Sequence, residues 1–423
     1  MEILSTGERI KRARIYKGYT LKRLCDNKIS VSKMSCIENG KIKPEQWILE
    51  FVAGKLEIDI GYLMQDVKSQ IIKNINDILK NPPTENYEKI LRYNLKFAEE
   101  YSYNDICFKI MHILFNYYLN KNQFQKIQLM ISAYYEYLQK CFSSKMASIY
   151  YMDIAKYFYI SKEFFQAVNY YDNVIQICRE NGYNEYLLRA MYYKDVCYIF
   201  MKDYDSAYEL AVKIMNLSHR VQKNIEDVRI YHVFAVLSLK MNINKFHKYE
   251  KKVYELYGNN FKGKSEAMLD YSRILFGLGK KRTALNYLNG ALNIYPKDDM
   301  EKLVDFVLVG VDVLLKNEIL KKAGSVCDIA LDYSISLNNI AFIEKAYYYK
   351  ASILLKEGNY IKGEVYMNLS LDNLLKFGTN KEIYNRYMEM GEMYYKMNNV
   401  PESIKYFTFA ISLREKYELS LIN

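Results

Sequence analysis

SVSKMSCIENGKIKP, residues 30–44, contains all the signals of one short helix and the turn that ends it. Ser30 can cap a helix over 31–38, Met34 and Ile37 lie three apart on its buried side, and Asn39-Gly40 supplies a left-handed exit. Outward from this stretch, helical periodicity runs from Gly7 to Tyr16 with Ile10, Ala13 and Arg14 facing inward, and Gly18 breaks it. Thr20 is placed to cap a second short helix through Leu24 and Cys25, and Asn27-Lys28 makes the turn into the third. Three short helices with a tight turn between the second and third predict a helix-turn-helix.

Charge is concentrated in the same place. Between Arg9 and Lys43 eleven Lys/Arg face two acids, Asp26 and Glu38, a net +9 out of the chain's +11. A basic patch confined to one small unit suits the DNA backbone, because each neutralised phosphate releases condensed counterions.

These residues resemble the Cro/repressor-type DNA-binding domain, whose pattern S-x-x-x-[LIM]-S-x-I-E-N-G-x-x-x-P they match in register from Ser30 to Pro44. Residues 46–56 and 58–64 fit that family's fourth and fifth helices. The resemblance implies that Ser30, Val31, Ser32, Lys33 and Cys36 form the base-reading end and face of the recognition helix. It also implies that Lys41 and Lys43 contact phosphate, and that Arg14 and Glu38 form a buried ion pair between helices 1 and 3. Leu21 stands where the family usually has Gln, and the segment before Ser30 is one residue shorter than the commonest spacing.

Residues 65–80, QDVKSQIIKNINDILK, read as an amphipathic linker helix with Ile71, Ile75, Ile78 and Leu79 on one side, stopped by Asn81-Pro82-Pro83-Thr84. The expected domains are therefore 1–65, a linker at 66–84, and a repeat array over 85–423. In the array, small residues recur at Ala167, Ala207, Ala284, Ala323, Gly363 and Ser403, with Ile127 extending the series backward and one repeat placed near His247. Twelve residues before each stand Phe115, Ala155, Asp195, Ala235, Ser272, Val311, Ala351 and Gly391. Tyr or Phe precedes several markers by three, as at Phe124, Phe164, Tyr204 and Tyr360. This is tetratricopeptide-repeat register with a period near 40, predicting about eight helical hairpins in a right-handed solenoid. The fold class is all-α.

A solenoid groove lined by the first helix of each hairpin suits an extended peptide, whose backbone amides are held by polar side chains from successive helices. Counting from the markers, the groove-facing candidates are Lys109, His112, Asn116, Arg189, Tyr192, Arg229, His232, Arg273, Asp312, Lys345, Tyr348, Asn385 and Glu392.

Other signals lead nowhere. GNNFKGKS, Gly258 to Ser265, satisfies a phosphate-loop pattern but follows a helix and not a strand, with a helix expected to start at Ser265. The four histidines, 112, 219, 232 and 247, have no metal-ligand spacing, and no GxSxG elbow occurs, so neither a cofactor nor an enzyme is expected. Seven scattered cysteines suggest thiols, neither a disulfide framework nor a zinc site. The 44 tyrosines read as fillers of half-buried helix positions. The chain has no signal-type leader and no long uncharged apolar run, which points to the cytoplasm without membrane contact.

A Cro-type head, a linker helix and a long repeat array together resemble the peptide-sensing transcription regulators of Gram-positive bacteria (the Rap, Rgg, NprR, PlcR, PrgX family), most of all its NprR branch. That resemblance implies a homodimeric receptor for a short signalling peptide that controls binding to operator DNA. It leaves two alternatives: a phosphatase-like or inhibitory action of the repeats on a response-regulator protein, and a scaffold for protein partners.

Overall fold

In the computed structural model, which describes residues 2–80, 86–218 and 226–422, the first helix begins where its cap dictates. The Ser5 hydroxyl accepts from the Glu8 amide, and the Glu8 carboxylate accepts from the Ser5 amide at 2.8 Å, a reciprocal box that opens α1 (Thr6–Tyr16). Thr20 caps α2 (Leu21–Cys25), and Asp26 and Asn27, both left-handed, turn the chain into α3 (Val31–Glu38). Gly40 has φ +71° and ends that helix as the Asn-Gly pair predicts. α4 (Gln46–Leu56) and α5 (Ile60–Met64) complete a bundle. The fifth helix starts two residues later than expected because Glu57 is left-handed and Asp59 provides the cap.

These five helices share one core around Ile10, Leu24, Met34, Ile37, Ile48 and Val52. α1 comes so close to the end of α3 that a Cβ on Gly7 would lie 2.1 Å from the Ile37 carbonyl oxygen, so only glycine fits there.

α6 (Val67–Lys80) buries Ile71, Ile75 and Ile78 as expected, but Leu79 is exposed. Its place on the packed side goes to Val67, Gln70 and Asn74, since the stripe that meets α7 (Tyr87–Glu100) keeps strict helical spacing from Ile71. The expected stop at Asn81-Pro82-Pro83-Thr84, like His219, lies outside the described residues.

Sixteen further helices follow among the described residues. They are α8 (Asn104–Asn120), α9 (Phe124–Lys140), α10 (Ser144–Ile160), α11 (Phe164–Asn181), α12 (Asn184–Met201), α13 (Tyr204–Ser218), α14 (Glu226–Lys240) and α15 (Phe246–Tyr257). Then come α16 (Phe261–Gly277), α17 (Lys281–Ile294), α18 (Met300–Lys316), α19 (Leu320–Ser336), α20 (Ile340–Lys356), α21 (Tyr360–Phe377), α22 (Asn380–Lys396) and α23 (Val400–Ile422). The protein is all-helical over these residues.

The chain divides into two compact units, Met1–Asp203 and Tyr204–Asn423. In the first, α8 pairs with α9 and α10 with α11, while α8, α10 and α12 also pack on one another in succession. In the second, α14 pairs with α15, α16 with α17, and so on to α22 with α23, and α14 packs on α16 and α18 on α20.

The small-residue markers sit where hairpins close: Ala167, Ala207, Ala284 and Ala323 are fully buried. The Ser272 hydroxyl donates to the Ala284 carbonyl and the Ser403 hydroxyl to the Gly391 carbonyl, each at 2.8 Å. A left-handed residue recurs in the turns at 122, 162, 202, 242, 279, 318, 358 and 398, repeating the same period in backbone conformation. One marker needs correcting. His247 is exposed, and the fourth residue of α15, which is the marker position in the other hairpins, is Tyr249, stacked on Phe234 at 5.1 Å. The turn after Asn242 is two residues longer than its neighbours, which shifts the register.

Candidate nucleic-acid interface and repeat clefts

The Ser30 hydroxyl accepts from the Lys33 amide at 3.1 Å, and Met34 and Ile37 are wholly buried, so α3 is fixed against the core on one side. Its opposite side carries Val31 and Ser32, both exposed, and Cys36, half-buried, with Ser35 between them. Helical geometry puts 31, 32, 35 and 36 on one face. Arg14 clamps the far end: Nε donates to Glu38 Oε1 at 2.6 Å, Nη2 to Oε2 at 2.9 Å, and Nη1 to the Tyr19 carbonyl at 2.8 Å. The hydrogen bonds that Arg14 donates to Glu38 raise its pKa further.

The basic window does not act as one patch. Arg9 is 2% exposed and donates to the carbonyls of Leu4, Tyr62 and Gln65, and burial lowers its pKa. Arg12 pairs with Glu2 and Lys17 with Glu57. Lys33 also is engaged: its Nζ lies 2.8 Å from Glu45 Oε1, while Trp47 Nε1 donates to Glu45 Oε2 at 2.7 Å. Those hydrogen bonds, the one from Lys33 first, hold the Glu45 carboxyl below its ordinary pKa. Glu45 spends its side chain here and makes no cap bond to α4. Lys11, Lys22, Arg23, Lys28, Lys41 and Lys43 are exposed and form no ion pair among the described residues, and of these Lys28, Lys41 and Lys43 flank α3 in the chain.

In the first unit of the repeats, His112 and Asn116 converge on a residue that the sequence reading missed. Asp153, 1% exposed on α10, accepts from Asn116 Nδ2 at 3.2 Å and from the Tyr134 hydroxyl at 3.0 Å, and meets His112 Nδ1 at 2.5 Å. Lys109 is exposed outside this cluster. Arg189 pairs with Glu185 on its own helix, and Tyr192 lies edge-on to Tyr193.

In the second unit a cleft of about 880 Å³ opens along α16 and α18, with Phe342 of α20 at its side. Arg273 lines it directly and pairs with Asp270 at 3.4 Å. His232 reaches the same Asp270 through Nε2 at 3.4 Å and the Tyr271 hydroxyl through Nδ1 at 3.1 Å. Lys345 pairs at 3.5 Å with Asp305, another lining residue. Leu269, Phe306, Val309 and Phe342 give the cleft an apolar lining among these charges.

Tyr348 belongs to a separate network. Its hydroxyl donates to Glu389 at 3.1 Å, Arg386 stacks 4.1 Å over its ring, and Arg386 also pairs with the buried Glu344 at 2.9 Å. Burial raises the Glu389 pKa. Asp312 pairs with Lys316 one turn away, Arg229 lies half-buried on α14, and Asn385 and Glu392 are exposed outside the cleft.

Asp153, Asp270 and Asp305 carried a readable signal, a lone acid within an apolar run of a hairpin's first helix, as in YYMDIA, AMLDYS and LVDFVL. The Gly258–Ser265 segment is a helix junction: α16 begins at Phe261, four residues before the expected start, and Ser265 is fully buried, donating to the Phe261 carbonyl. Such a serine cannot face a phosphate.

No family model matches the chain, and no curated protein matches it in sequence. It is similar to several solved structures. The apo form of the quorum sensor NprR from B. thuringiensis shares 16% identity over 84% of this chain and 100% of that chain, with a TM-score of 0.41. Bacillus thuringiensis PlcR, solved with the peptide PapR7 and DNA, shares 15% over 92% and 98%, with a TM-score of 0.33. Aspartyl phosphate phosphatase F from Bacillus subtilis shares 11% over 98% and 96%, with a TM-score of 0.44. At this level the likeness concerns the helical fold only.

Proposed function

We propose that this protein is a cytoplasmic transcription regulator that binds operator DNA as a homodimer and responds to a short signalling peptide held by the first helices of its repeats. The observation that carries the DNA reading is the α3 face of Val31, Ser32 and Cys36, presented by a buried Met34 and Ile37 and bordered by the unpaired Lys41 and Lys43. One such helix contacts too few base pairs to find a site in a genome, so two copies must read half-sites about one helical turn, roughly 34 Å, apart. A peptide that favours one arrangement of the repeats changes that spacing, and a coupling of about 1 to 3 kcal/mol alters affinity roughly 5- to 150-fold. Among the described residues no helix is long and apolar enough to cross a membrane.

The peptide reading rests on the cleft along α16 and α18, where Arg273 and the pairs through Asp270 and Asp305 flank an apolar floor. The test is selection of binding sites from random duplex DNA with the full chain. Enrichment of a two-fold symmetric site, lost on reversing Lys41 and Lys43 to Glu, is the expected result; recovery of no sequence preference would overturn the reading.

A further inference from the structure

The first five helices have their own core, and among the described residues none of them packs broadly on α6 or α7. The bundle is nevertheless held to those helices, by four residues that precede α1. Ile3 does not join the bundle core. It is 3% exposed and belongs to the neighbouring core with Val67, Ile71, Ile75 and Leu91. Its amide donates to the Tyr93 hydroxyl on α7 at 3.2 Å. Leu4 then pairs in both directions with Gln70 on α6: the Leu4 amide donates to Oε1 at 3.0 Å, and Gln70 Nε2 donates to the Leu4 carbonyl at 2.9 Å.

The same Leu4 carbonyl receives the buried Arg9 guanidinium, Nε at 3.1 Å and Nη2 at 3.0 Å. Arg9 reaches on to the Tyr62 and Gln65 carbonyls at the end of α5. A single backbone oxygen therefore joins α1, the exit from α5 and the side of α6. Glu2 pairs with Arg12 at 2.6 Å and lays the segment along α1.

We propose that residues 2–5 are a staple that locks the helix-turn-helix bundle to α6 and α7, so that a shift of those helices turns the DNA-reading face with them. Without it, the covalent link at Gln65–Asp66 would be the main attachment, and a two-residue link leaves the bundle free to swivel. The physical requirement for a staple is an anchor in the far body and hydrogen bonds that cannot be exchanged for water without cost. Ile3 meets the first, and the Leu4–Gln70–Arg9 junction meets the second, since the Arg9 and Gln70 side chains are buried and Leu4 is half-buried between them. This inference stands apart from the DNA reading, which it needs only for its consequence.

Trp47, the chain's one tryptophan, sits in the bundle and reports on it alone. In the full chain, time-resolved anisotropy of Trp47 should show the slow rotation of the whole molecule. Ile3→Asp should shorten that correlation time several-fold, toward that of a module spanning residues 2–64, with the emission spectrum unchanged. Gln70→Ala, which removes no side chain from the bundle, should act in the same direction and decides the matter if Ile3→Asp disturbs the bundle itself. An unchanged correlation time in Gln70→Ala and in a folded Ile3→Asp overturns the staple. If the staple holds and symmetric operator binding is also lost, while a half-site is still bound, its role in spacing follows; if the staple holds and no DNA is bound by any variant or by the parent, the DNA reading fails by itself.

Discussion

Arg14 and Glu38, 24 residues apart, meet in a two-pronged pair whose side chains are 13% and 3% exposed. The pair joins the last turn of α1 to the last turn of α3, and Arg14 also holds the Tyr19 carbonyl. It therefore sets the angle at which α3 is presented.

Breaking one side of such a pair leaves a buried charge alone. Arg14→Ala or Glu38→Ala should destabilise the bundle by about 3 kcal/mol, whereas replacing both by apolar residues of similar volume should cost much less. Urea unfolding followed by Trp47 emission measures both, and equal losses in the single and double variants would contradict the pair's role.

Asp195 should work against stability. It is fully buried on α12, neither carboxylate oxygen has a hydrogen-bond partner among the described residues, and burial pushes its pKa up to about 8. An unfolded aspartate ionises near pH 4, so the folded state holds the extra proton between about pH 4 and 8. Stability contributed by the neutral acid is intact below that window and declines as pH rises through it, by on the order of 6 kcal/mol at the upper end. The equivalent positions 40 residues either side are Ala155 and Ala235. Asp195→Ala should thus raise the Tm, and more at pH 9 than at pH 5; an increment independent of pH would show that the carboxyl finds a partner.

In the proposed DNA complex, Glu45 would compete with phosphate for Lys33, its partner at 2.8 Å. Glu45→Gln should strengthen binding to every duplex sequence a few-fold and steepen the dependence of log K on log salt by about one. Lys41→Ala should weaken all sequences alike and flatten that slope by about one, while changes at Ser32 and Cys36 should alter base preference. Salt titrations with specific and scrambled DNA separate these outcomes, and unaltered preference in the Ser32 and Cys36 variants would misplace the reading face.

In the cleft, Arg273→Ala and Phe342→Ala remove a charge and a piece of apolar wall without touching a fully buried side chain. Peptides selected against the parent chain should bind each variant at least about tenfold more weakly, a change of about 1.4 kcal/mol, with little shift in Tm. Unchanged affinity would send the peptide to another part of the array, with the His112, Asn116 and Asp153 cluster the next place to test.

Much of this was legible because it is local. Ser30, Thr20 and Asn39-Gly40 start and stop helices through contacts within a few residues, so reading the caps is close to reading the structure. The repeat period was legible for a similar reason: small side chains must recur wherever two helices of a hairpin come within touching distance, and Ala167, Ala207 and Ala284 show it. The misreadings cluster where one helix must choose among partners. Arg9, counted with the surface charges, turns inward because α5 ends with bare carbonyls beside it. Leu79 turns outward because the packed stripe on α6 is shared with Gln70 and Asn74, whose amides are satisfied by Leu4 and by Asn94 across the interface.

By itself, then, the sequence determined the all-helical class, the capped ends of α3 and the repeat of about 40 residues, since each depends on hydrogen bonds and packing between near neighbours. Only the tertiary structure decided which lysines stay free, that the partners of His232, Arg273 and Lys345 are the acids lining one cleft, and that Ile3 belongs to a core other than its own bundle's. Those outcomes depend on which faces meet across tens of residues, and a charge or an apolar side chain carries no mark of its partner until the chain has folded around both.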